Sequence, residues 1–386
     1  MRIGIDLTTI WRPATGTENL AIEMTRALLR ADQRNEYVLF FAKEIHPRFA
    51  EFTKRFDAIV TRRSNELFLK NLWLPRVAAA AKLDYMHFPA FPPPWRFPCP
   101  SGWTLPDATP WLYPETMKLK SRWYYKILGG RAVATGRLLI TDTEASREDI
   151  VRHLGARQEQ VHVIYPGLRS IFHVSHDSAA FESVRRRYCL PERFVLFVGT
   201  IEPRKNLRRI LSAFRMLKAD RDFQPSLVIV GRKGWLYNPI FSELSRGGLA
   251  QHVHVTGYVH DRDLVTLYNM ARLLVFPSLY EGFGFPCIEA MACGCPVVTS
   301  SRGALREVSG GFAVHADPED VTAIADGIWQ VDSDDLLRQK LITDGFQRAA
   351  SFSWDRYAEQ FLSVLKRGVP EGNADETSEL CSTPSA

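Results

Sequence analysis

The chain has 386 residues and is 46% hydrophobic, which is enough to bury two ordinary cores and favours two domains over one. Its formal net charge of +6 suits a phosphate-bearing substrate, a nucleic acid or an anionic membrane surface equally well. The 6 cysteines lie in a chain too large to need disulfide staples, and no apolar run reaches the length of a membrane span, so a disulfide scaffold and a membrane-spanning protein are excluded.

The amino terminus enters a strand pattern at once and lacks the features of a secretory signal, which predicts a cytoplasmic location. Short β-rich apolar runs with helical stretches between them predict strands over residues 3–7, 37–41, 85–88, 138–141 and 161–164. A second series follows, with strands predicted over residues 194–198, 227–230, 253–256, 273–276, 296–300 and 311–314. Strands alternating with helices indicate parallel sheets covered on both faces, so the sequence predicts two doubly wound α/β domains.

The break between the two series falls near Tyr165-Pro166-Gly167, where a strand ends in turn residues. We therefore predict a first domain over residues 1–170 and a second over 171–350. A final helix, capped by Ser353 or Asp355, is expected within residues 351–368. The tail over residues 369–386 is rich in Pro, Gly, Asn, Ser and Thr, which predicts that it is disordered.

The segment 276–296 has the makings of a binding loop, because a strand ends and two glycines and a proline precede a short helix. Gly282 and Gly284 permit close backbone approach, and Pro286 fits the first helical turn. The helix start offers free N–H donors to an anion or to sugar hydroxyls. Glu281 and Glu289 can face one cleft, although a solvated loop glutamate and an early-helix glutamate would follow the same pattern.

A second loop, over residues 198–207, runs from a strand into a helix expected to be capped by Asn206 or a neighbour. Cations before a helix N-terminus are disfavoured unless an anion lies between them. Lys205, with Arg204, is therefore a candidate for gripping a diphosphate, against the alternative of a surface pair.

The segment around Glu281, continuing through Cys295-Pro296 to Glu307, resembles the E-x7-E signature of family 4 retaining glycosyltransferases, which have the GT-B fold. The resemblance covers nearly the whole chain to about residue 367. It implies two Rossmann-like domains that face a central cleft, with an acceptor domain first, a donor domain second and the last helix crossing back to the first. It also implies that Glu281 contacts the donor sugar and that Glu289 holds the ribose hydroxyls.

The same resemblance implies a catalytic set of Glu281, Lys205 and Asp107. It places the nucleotide base near Gly257 and Tyr258, and a phosphate-closing loop around Gly16 after the first strand. The implied donor-binding residues are Gly16, Thr200, Arg204, Lys205, Gly231, Tyr258, Glu281, Gly282, Phe283, Gly284, Phe285 and Glu289.

Two positions depart from the family pattern. Many relatives carry an arginine directly after the glycine of the strand before Lys205, but Thr200 stands there and Arg204 is the nearest substitute. Relatives also carry a His-Asp pair in the first domain, where this chain has Pro106-Asp107. His87 is a possible replacement, although a histidine at a strand end is more often structural.

The sequence predicts neither a metal nor a cofactor. Asp261-Arg262-Asp263 imitates a D-x-D metal motif but lies just before a helical pattern, which favours helix capping and first-turn acids. Cys293 and Cys295 lack a second Cys/His pair nearby, so core packing is favoured over a zinc site.

The segment 116–128 combines basic residues with Trp123, Tyr124 and Tyr125, which is typical of a helix that docks on an anionic leaflet. The alternative is a helix packed on the sheet with a solvated basic face. Membrane docking predicts a peripheral location on the inner face of the cytoplasmic membrane.

The opening of the chain and the stretch 200–206 look closest to the mannosyltransferase branch acting in bacterial O-antigen assembly. The resemblance therefore implies GDP-mannose as donor and a glycan or lipid-linked glycan as acceptor. A UDP-sugar or GDP-rhamnose donor is the first alternative, and a non-catalytic nucleotide-sugar-binding subunit of a polysaccharide assembly complex is the second. Nucleic-acid binding is disfavoured, because no aromatic-basic recognition motif is present.

Overall fold

The computed structural model describes residues 1–10, 16–62, 69–117, 119–135, 137–220, 222–234 and 248–368. The strands of the first half are Arg2–Leu7 (β1), Glu36–Ala42 (β2), Asp57–Thr61 (β3), Tyr85–Phe88 (β4), Ser101–Thr104 (β5), Leu138–Thr141 (β6) and Val161–Val163 (β7). They form a 7-stranded sheet in the order β3-β2-β1-β4-β5-β6-β7, and every pair is parallel. We call this half the N-unit.

Helices cover the N-unit sheet, and the central strands are buried along almost their whole length, as parallel strands must be. The helices are Gly16–Ala31 (α1), Leu74–Ala80 (α2), Thr109–Leu112 (α3), Leu119–Tyr124 (α4), Gly130–Ala134 (α5) and Glu144–Leu154 (α6). Short 3-10 or π turns occupy Pro47–Phe52, Leu69–Trp73, Pro114–Thr116, Tyr125–Gly129 and Gln158–Gln160.

The five strands predicted in the N-unit are present, and β4 and β6 match the predicted residues throughout. β3 and β5 were not predicted from the sequence. β3 lies at the sheet edge with most of its side chains exposed, and its apolar run is only Ala58-Ile59-Val60. β5 has only 4 residues, and its Gly102 leaves no room for a side chain, because a Cβ there would lie 2.1 Å from the Tyr85 hydroxyl.

The second half, which we call the C-unit, contains the strands Phe194–Val198 (β8), Ser226–Val230 (β9), Val253–Gly257 (β10), Leu273–Phe276 (β11), Val297–Ser300 (β12) and Val314–Ala316 (β13). They form a 6-stranded parallel sheet in the order β10-β9-β8-β11-β12-β13. Its helices are Ser178–Arg187 (α7), Leu207–Asp220 (α8), Asp261–Met270 (α9), Phe285–Ala292 (α10), Gly303–Ser309 (α11), Val321–Ser333 (α12) and Asp335–Ala350 (α13), with 3-10 turns at Pro203–Lys205 and Leu249–His252.

All six predicted C-unit strands occur, and β8 and β11 match the predicted residues. β13 begins three residues later than the segment 311–314 that the sequence indicated. The reason is a turn, in which Gly310 adopts a φ of 55°, that separates α11 from the strand.

The last described helix, Trp354–Gly368 (α14), crosses back to the N-unit as predicted. Its Tyr357, Phe361 and Leu365 are buried in one cluster with apolar residues of β1 and α1. Ser353 caps the helix, since its Oγ accepts from the Arg356 N–H at 3.4 Å. The predicted disordered tail, residues 369–386, lies outside the described residues.

The strand orders define two topological switch points. In the N-unit the chain reverses direction across the sheet between β1 and β4, and in the C-unit it reverses between β8 and β11. Ligands of open α/β sheets collect outside the carboxyl ends of the strands at such points. In the C-unit these ends lead into the two loops that carry Lys205 and Glu281.

Candidate active site

The loops after β8 and β11 meet through an ion-pair cluster. The Lys205 Nζ donates to Glu281 Oε1 at 2.6 Å, and Arg204 Nη1 donates to Glu281 Oε2 at 2.9 Å. Arg204 also reaches the Tyr280 carbonyl at 2.7 Å and the Glu202 carboxylate at 2.6 Å. The structure thus brings together two of the three predicted catalytic residues.

The Glu281 carboxylate is held in its charged form. Burial by itself raises the pKa of a carboxyl group, but the neighbouring Lys205 and Arg204 cations outweigh it and bring the pKa of Glu281 down to about 2. A permanent negative charge beside two cations suits a site that must balance the charges of a sugar diphosphate.

The turn that presents Lys205 depends on Pro203 and Asn206. Pro203 starts a 3-10 turn, and Asn206 ends it in the left-handed region with a φ of 62°. The Asn206 Nδ2 donates to the carbonyls of Pro277 and Pro318, at 2.9 and 2.6 Å. The Asn206 side chain therefore ties this turn to the loops after β11 and β13.

Asp107, the third predicted catalytic residue, reaches the cluster from the N-unit. A Cβ added to Gly282 would lie 2.7 Å from the Pro106 carbonyl and 3.1 Å from Asp107 Oδ2, so the two loops are in direct contact. The Gly282 carbonyl accepts from the Thr143 hydroxyl at 3.0 Å. Gly282 is required here because any side chain would push the units apart.

The helix start after Glu281 is built from Gly284 and an aromatic pair. Gly284 occupies the N-cap of α10 with a φ of 97°, and a Cβ there would meet Leu305 Cδ2 at 2.4 Å. No side chain caps the first turn. The rings of Phe283 and Phe285 pack 5.0 Å apart, and Phe283 is buried against Phe352, so a donor contact at Phe283 would come through its main chain.

Glu289 lies on α10 and is 8% exposed. Its Oε2 accepts from the Tyr268 hydroxyl at 3.1 Å and its Oε1 faces Arg169 Nη2 at 3.5 Å. Burial raises the pKa of Glu289, and Arg169 opposes that rise. Arg169 itself pairs with Asp261 at 2.6 Å, so the predicted ribose-binding carboxylate is linked to the segment that joins the two units.

The turns after β9 and β10 lie beside the Lys205 loop. A Cβ on Gly231 would be 1.8 Å from the Gly199 carbonyl, which shows how tightly the β8 and β9 turns pack. Thr200 is exposed at this edge. Tyr258, at the end of β10, is 41% exposed and carries the Arg232 guanidinium 4.3 Å from its ring centroid. An exposed aromatic face with a cation on it fits the predicted base site.

Gly16 begins α1, and a Cβ there would meet open space, so the residue is free to face a ligand. The preceding loop residues 11–15, part of the predicted phosphate-closing loop, lie outside the described residues.

The two aspartates of the D-x-D sequence at residues 261–263 lie in the first turn of α9. Asp261 pairs with Arg169, and Asp263 pairs with Arg187.

His87 does not replace the missing family histidine. Its ring is completely buried, bonds to Thr104 Oγ1 at 2.8 Å and to the Tyr85 hydroxyl at 3.1 Å, and packs against Phe361. Burial lowers the pKa of His87 to about 3, so the ring is neutral. The structural alternative for His87 is therefore correct.

Sequence reasoning did not single out several residues that organise the site. Glu307 of α11 accepts from the Glu144 and Ala145 amides at the start of α6, each at 2.8 Å. The Tyr280 hydroxyl donates to Asp149 at 2.9 Å and accepts from the Ala108 amide at 3.2 Å. These partners lie more than 100 residues apart in the chain, so no local pattern could have indicated them.

A cavity of about 790 Å³ opens between the units beside Arg169. Arg26, Arg30 and Arg48 of the N-unit line one wall, while Asp261 and Arg262 of α9 line the opposite wall. Glu23 and Asp355 also line this cavity and pair with its arginines, so its charges are largely balanced. The cavity is separate from the Lys205–Glu281 cluster, whose residues do not line it.

Solved structures share this architecture over almost the whole chain. A sucrose-phosphate synthase from Thermosynechococcus elongatus aligns with a TM-score of 0.76 at 19% identity, covering 95% of this chain and 98% of that one. WaaG, a glycosyltransferase involved in lipopolysaccharide biosynthesis, aligns with a TM-score of 0.73 at 15% identity, covering 96% and 100%. At these identities the likeness shows the fold alone, which is the predicted GT-B fold.

Sequence comparison gives the family. The model for glycosyl transferases group 1 matches residues 186–348. The O-antigen chain mannosyltransferase B of Escherichia coli is 30% identical over 370 residues, which are 92% of this chain and 96% of that protein. The MMP alpha-(1->4)-mannosyltransferase of Mycolicibacterium hassiacum is 30% identical over 65% of this chain and 59% of its own length.

Two Rossmann-like units that face a cleft define the GT-B fold. The family model and the Escherichia coli relative make the protein a glycosyltransferase. The chain belongs to the glycosyl transferases group 1 family.

Proposed function

We propose that this enzyme transfers mannose from GDP-mannose, with retention of anomeric configuration, to a glycan acceptor in O-antigen assembly. The observation that carries the proposal is the Lys205–Glu281 pair at the switch point of the C-unit, with Asp107 facing it from the N-unit. The choice of mannose and of O-antigen rests on the names of the Escherichia coli and mycobacterial relatives.

In the proposed reaction, Lys205 and nearby loop amides stabilise the charge that grows on the departing diphosphate. Glu281 orients the sugar. Glu289 binds the ribose hydroxyls and shares its carboxylate between them and Arg169. The acceptor hydroxyl attacks C1 on the face that the diphosphate leaves, so the new C1–O bond forms as the old one breaks. The hydroxyl proton passes to the departing phosphate oxygen, and no metal ion takes part.

The donor is tested first by calorimetric titration of the protein, without metal, against GDP, UDP and their sugars. We expect selective GDP binding that is lost in Lys205→Ala and Glu289→Ala and kept in Lys366→Ala, an exposed lysine on α14. UDP selectivity would keep the fold and change the donor. Loss of binding in the Lys366 control would show that the variants report general damage.

Turnover is tested with the donor that binds and a mannose-containing glycan acceptor, in EDTA and in Mg²⁺. We expect equal rates in both, and an α-linked product by NMR of the anomeric proton. A β-linked product would contradict retention. Nucleotide-sugar binding without turnover would instead favour the non-catalytic subunit that Pro106 and Thr200 allow.

We also propose that the N-unit docks on an anionic membrane. Leu119, Trp123 and Ile127 follow each other at four-residue spacing and are 71%, 63% and 53% exposed, with Arg122 and Lys126 beside them. An apolar stripe flanked by cations is the pattern of an interfacial helix.

Tyr125 anchors the segment by packing against Trp103 and Trp111. Within the described residues, no helix is long and apolar enough to cross a membrane.

Co-sedimentation with vesicles checks this surface. We expect the protein to pellet with vesicles rich in phosphatidylglycerol and to stay in the supernatant with phosphatidylcholine alone. A Leu119→Ser/Trp123→Ser variant should lose binding, while Leu336→Ser, which changes an 86% exposed leucine of the C-unit, should keep it. Equal sedimentation of both variants would contradict the assignment.

A further inference from the structure

Three of the five N–H donors of the Arg204 guanidinium are engaged with its own protein. Nη1 donates to the Tyr280 carbonyl and to Glu281 Oε2, and Nη2 donates to Glu202 Oε1. Only 15% of its side chain is exposed. Both terminal nitrogens of Arg204 thus serve protein acceptors, which fixes the plane of its guanidinium.

Lys205 differs from its neighbour. Its ammonium carries three donors, and its hydrogen bond to Glu281 uses one of them. Its side chain runs past Gly199, whose added Cβ would lie 3.7 Å from the lysine Cδ and Cε. Lys205 is as buried as Arg204, with 13% of its side chain exposed, and what sets it apart is that it lies against the turn after β8, where a diphosphate would lie.

Glu202 is 2% exposed and supplies the carboxylate that faces Arg204 Nη2. A buried carboxylate is costly unless it is paired and hydrogen-bonded, so Glu202 and Arg204 stabilise each other's positions. The main chain reinforces the arrangement, because the Leu279 amide donates to the Arg204 carbonyl at 2.9 Å. Side-chain and main-chain bonds of Arg204 thus join the β8 loop to the β11 loop.

We propose that Glu202 is a positioning residue that fixes Arg204, that Arg204 clamps Glu281 and the Tyr280 carbonyl, and that Lys205 is the cation of the pair that grips the diphosphate. This inference rests on the proposed function in that it takes the cleft to be the donor site. On this proposal Arg204 does not substitute for the arginine that relatives carry at the position of Thr200, because it orders the two loops and does not contact the phosphate.

Steady-state kinetics with whichever nucleotide-sugar the protein turns over test the positioning role. Glu202→Gln should lower kcat about tenfold while donor KM changes less than about threefold, the pattern of a misplaced transition-state contact. Arg204→Met should lower kcat similarly, and the double variant should be no slower than Arg204→Met alone, because Glu202 acts through Arg204. Additive losses, or an unchanged kcat in Glu202→Gln, would overturn the proposal.

Asp332→Asn is the matched control. Asp332 is a carboxylate with 8% side-chain exposure, paired with Arg272 at the opposite end of β11. We expect it to lower the melting temperature as Glu202→Gln does, with kcat unchanged. A fall in kcat in this control would mean that lost stability alone explains the Glu202 result.

Two readouts do not depend on turnover. In calorimetry with GDP and UDP, Arg204→Met should keep affinity within about threefold while Lys205→Met loses more than about tenfold. Equal losses would make Arg204 a phosphate ligand and overturn the clamp. In a crystal structure of Glu202→Gln, we expect the Arg204–Glu281 hydrogen bond to be broken. An unmoved Arg204 would refute the positioning role whatever the donor proves to be.

Discussion

At the scale of single residues, the site is a balance of charges that leaves Glu281 ionised at any ordinary pH. Two cations from one loop share one carboxylate from the next, and a second carboxylate, Glu202, pairs with the other terminal nitrogen of Arg204. Each charged group is therefore paired before a substrate arrives. A sugar diphosphate that enters this cleft would compete with Glu281 for Lys205, so binding and orientation of the sugar are coupled.

The low pKa of Glu281 predicts a pH dependence of stability. Its ordinary value is 4.5 and its folded value is about 2, so the stabilisation is complete above the unfolded-state pKa and is lost as pH falls through this interval. We expect Glu281→Gln to lose about 3 kcal/mol less than the wild type between about pH 5 and pH 2. Urea unfolding at several pH values measures it, and parallel curves for the two proteins would contradict the ion-pair account.

At the scale of elements, helix starts carry much of the site. α10 begins at Gly284 without a side-chain cap, next to Glu281, whereas α6 is capped from the other unit. The Glu307 carboxylate accepts hydrogen bonds from two main-chain amides of α6 and from the Tyr165 hydroxyl, the last at 2.6 Å. A negative charge at a helix N-terminus is favourable, so this contact stabilises the approach of the two units.

Glu307→Gln should weaken the contact between the two units by about 1 to 2 kcal/mol, because the N-terminus of α6 loses its charged acceptor. Tyr165→Phe, which removes a single hydroxyl from the same carboxylate, should cost less. Limited proteolysis of the linker near Gly167 would report the loosening as faster cleavage. Unchanged cleavage in Glu307→Gln would show that other contacts hold the units together.

α14 belongs to the N-unit core although it follows the C-unit in the chain. Phe361→Ala should destabilise the protein by about 3 to 5 kcal/mol, since it removes a ring that is 1% exposed and contacts His87 and Tyr357. Lys366→Ala on the exposed side of α14 should have no measurable effect. Thermal or urea unfolding compares the two, and equal stabilities would contradict the role of α14 in the core.

At the scale of the whole molecule, the cleft is closed over Gly282. Its missing side chain allows the β11 loop to touch the Pro106 carbonyl, and its own carbonyl is held by Thr143. Closure therefore joins the Lys205–Glu281 cluster to Asp107.

Gly282→Ala should keep both units folded but hold them apart, because a Cβ would lie 2.7 Å from a main-chain oxygen. We expect a larger radius of gyration by small-angle X-ray scattering and a loss of turnover with little change in melting temperature. Gly311→Ala is the control, since Gly311 is exposed and a Cβ there meets open space. A compact, active Gly282→Ala enzyme would refute the closed arrangement.

Much of the fold and part of the site followed from local sequence. Apolar runs such as 194–198 and 273–276 predicted their strands correctly, because a strand buried on both faces must be apolar throughout. The loop glycines and the charged residues of 202–206 and 281–289 marked the strand ends that form the cleft. These signals are local, because hydrophobic periodicity and backbone preference depend on residues that are close together in the sequence.

Tertiary structure decided the rest. The edge strand β3 has an apolar run of only three residues, the pairing of Lys205 with Glu281 and of Glu307 with α6 depends on folded geometry, and His87 became a neutral core residue only through burial. Sequence determined which residues could do chemistry and where the strands end. Only the packing of segments far apart in the chain determined which charges meet across the site, because such contacts leave no periodic trace in the sequence.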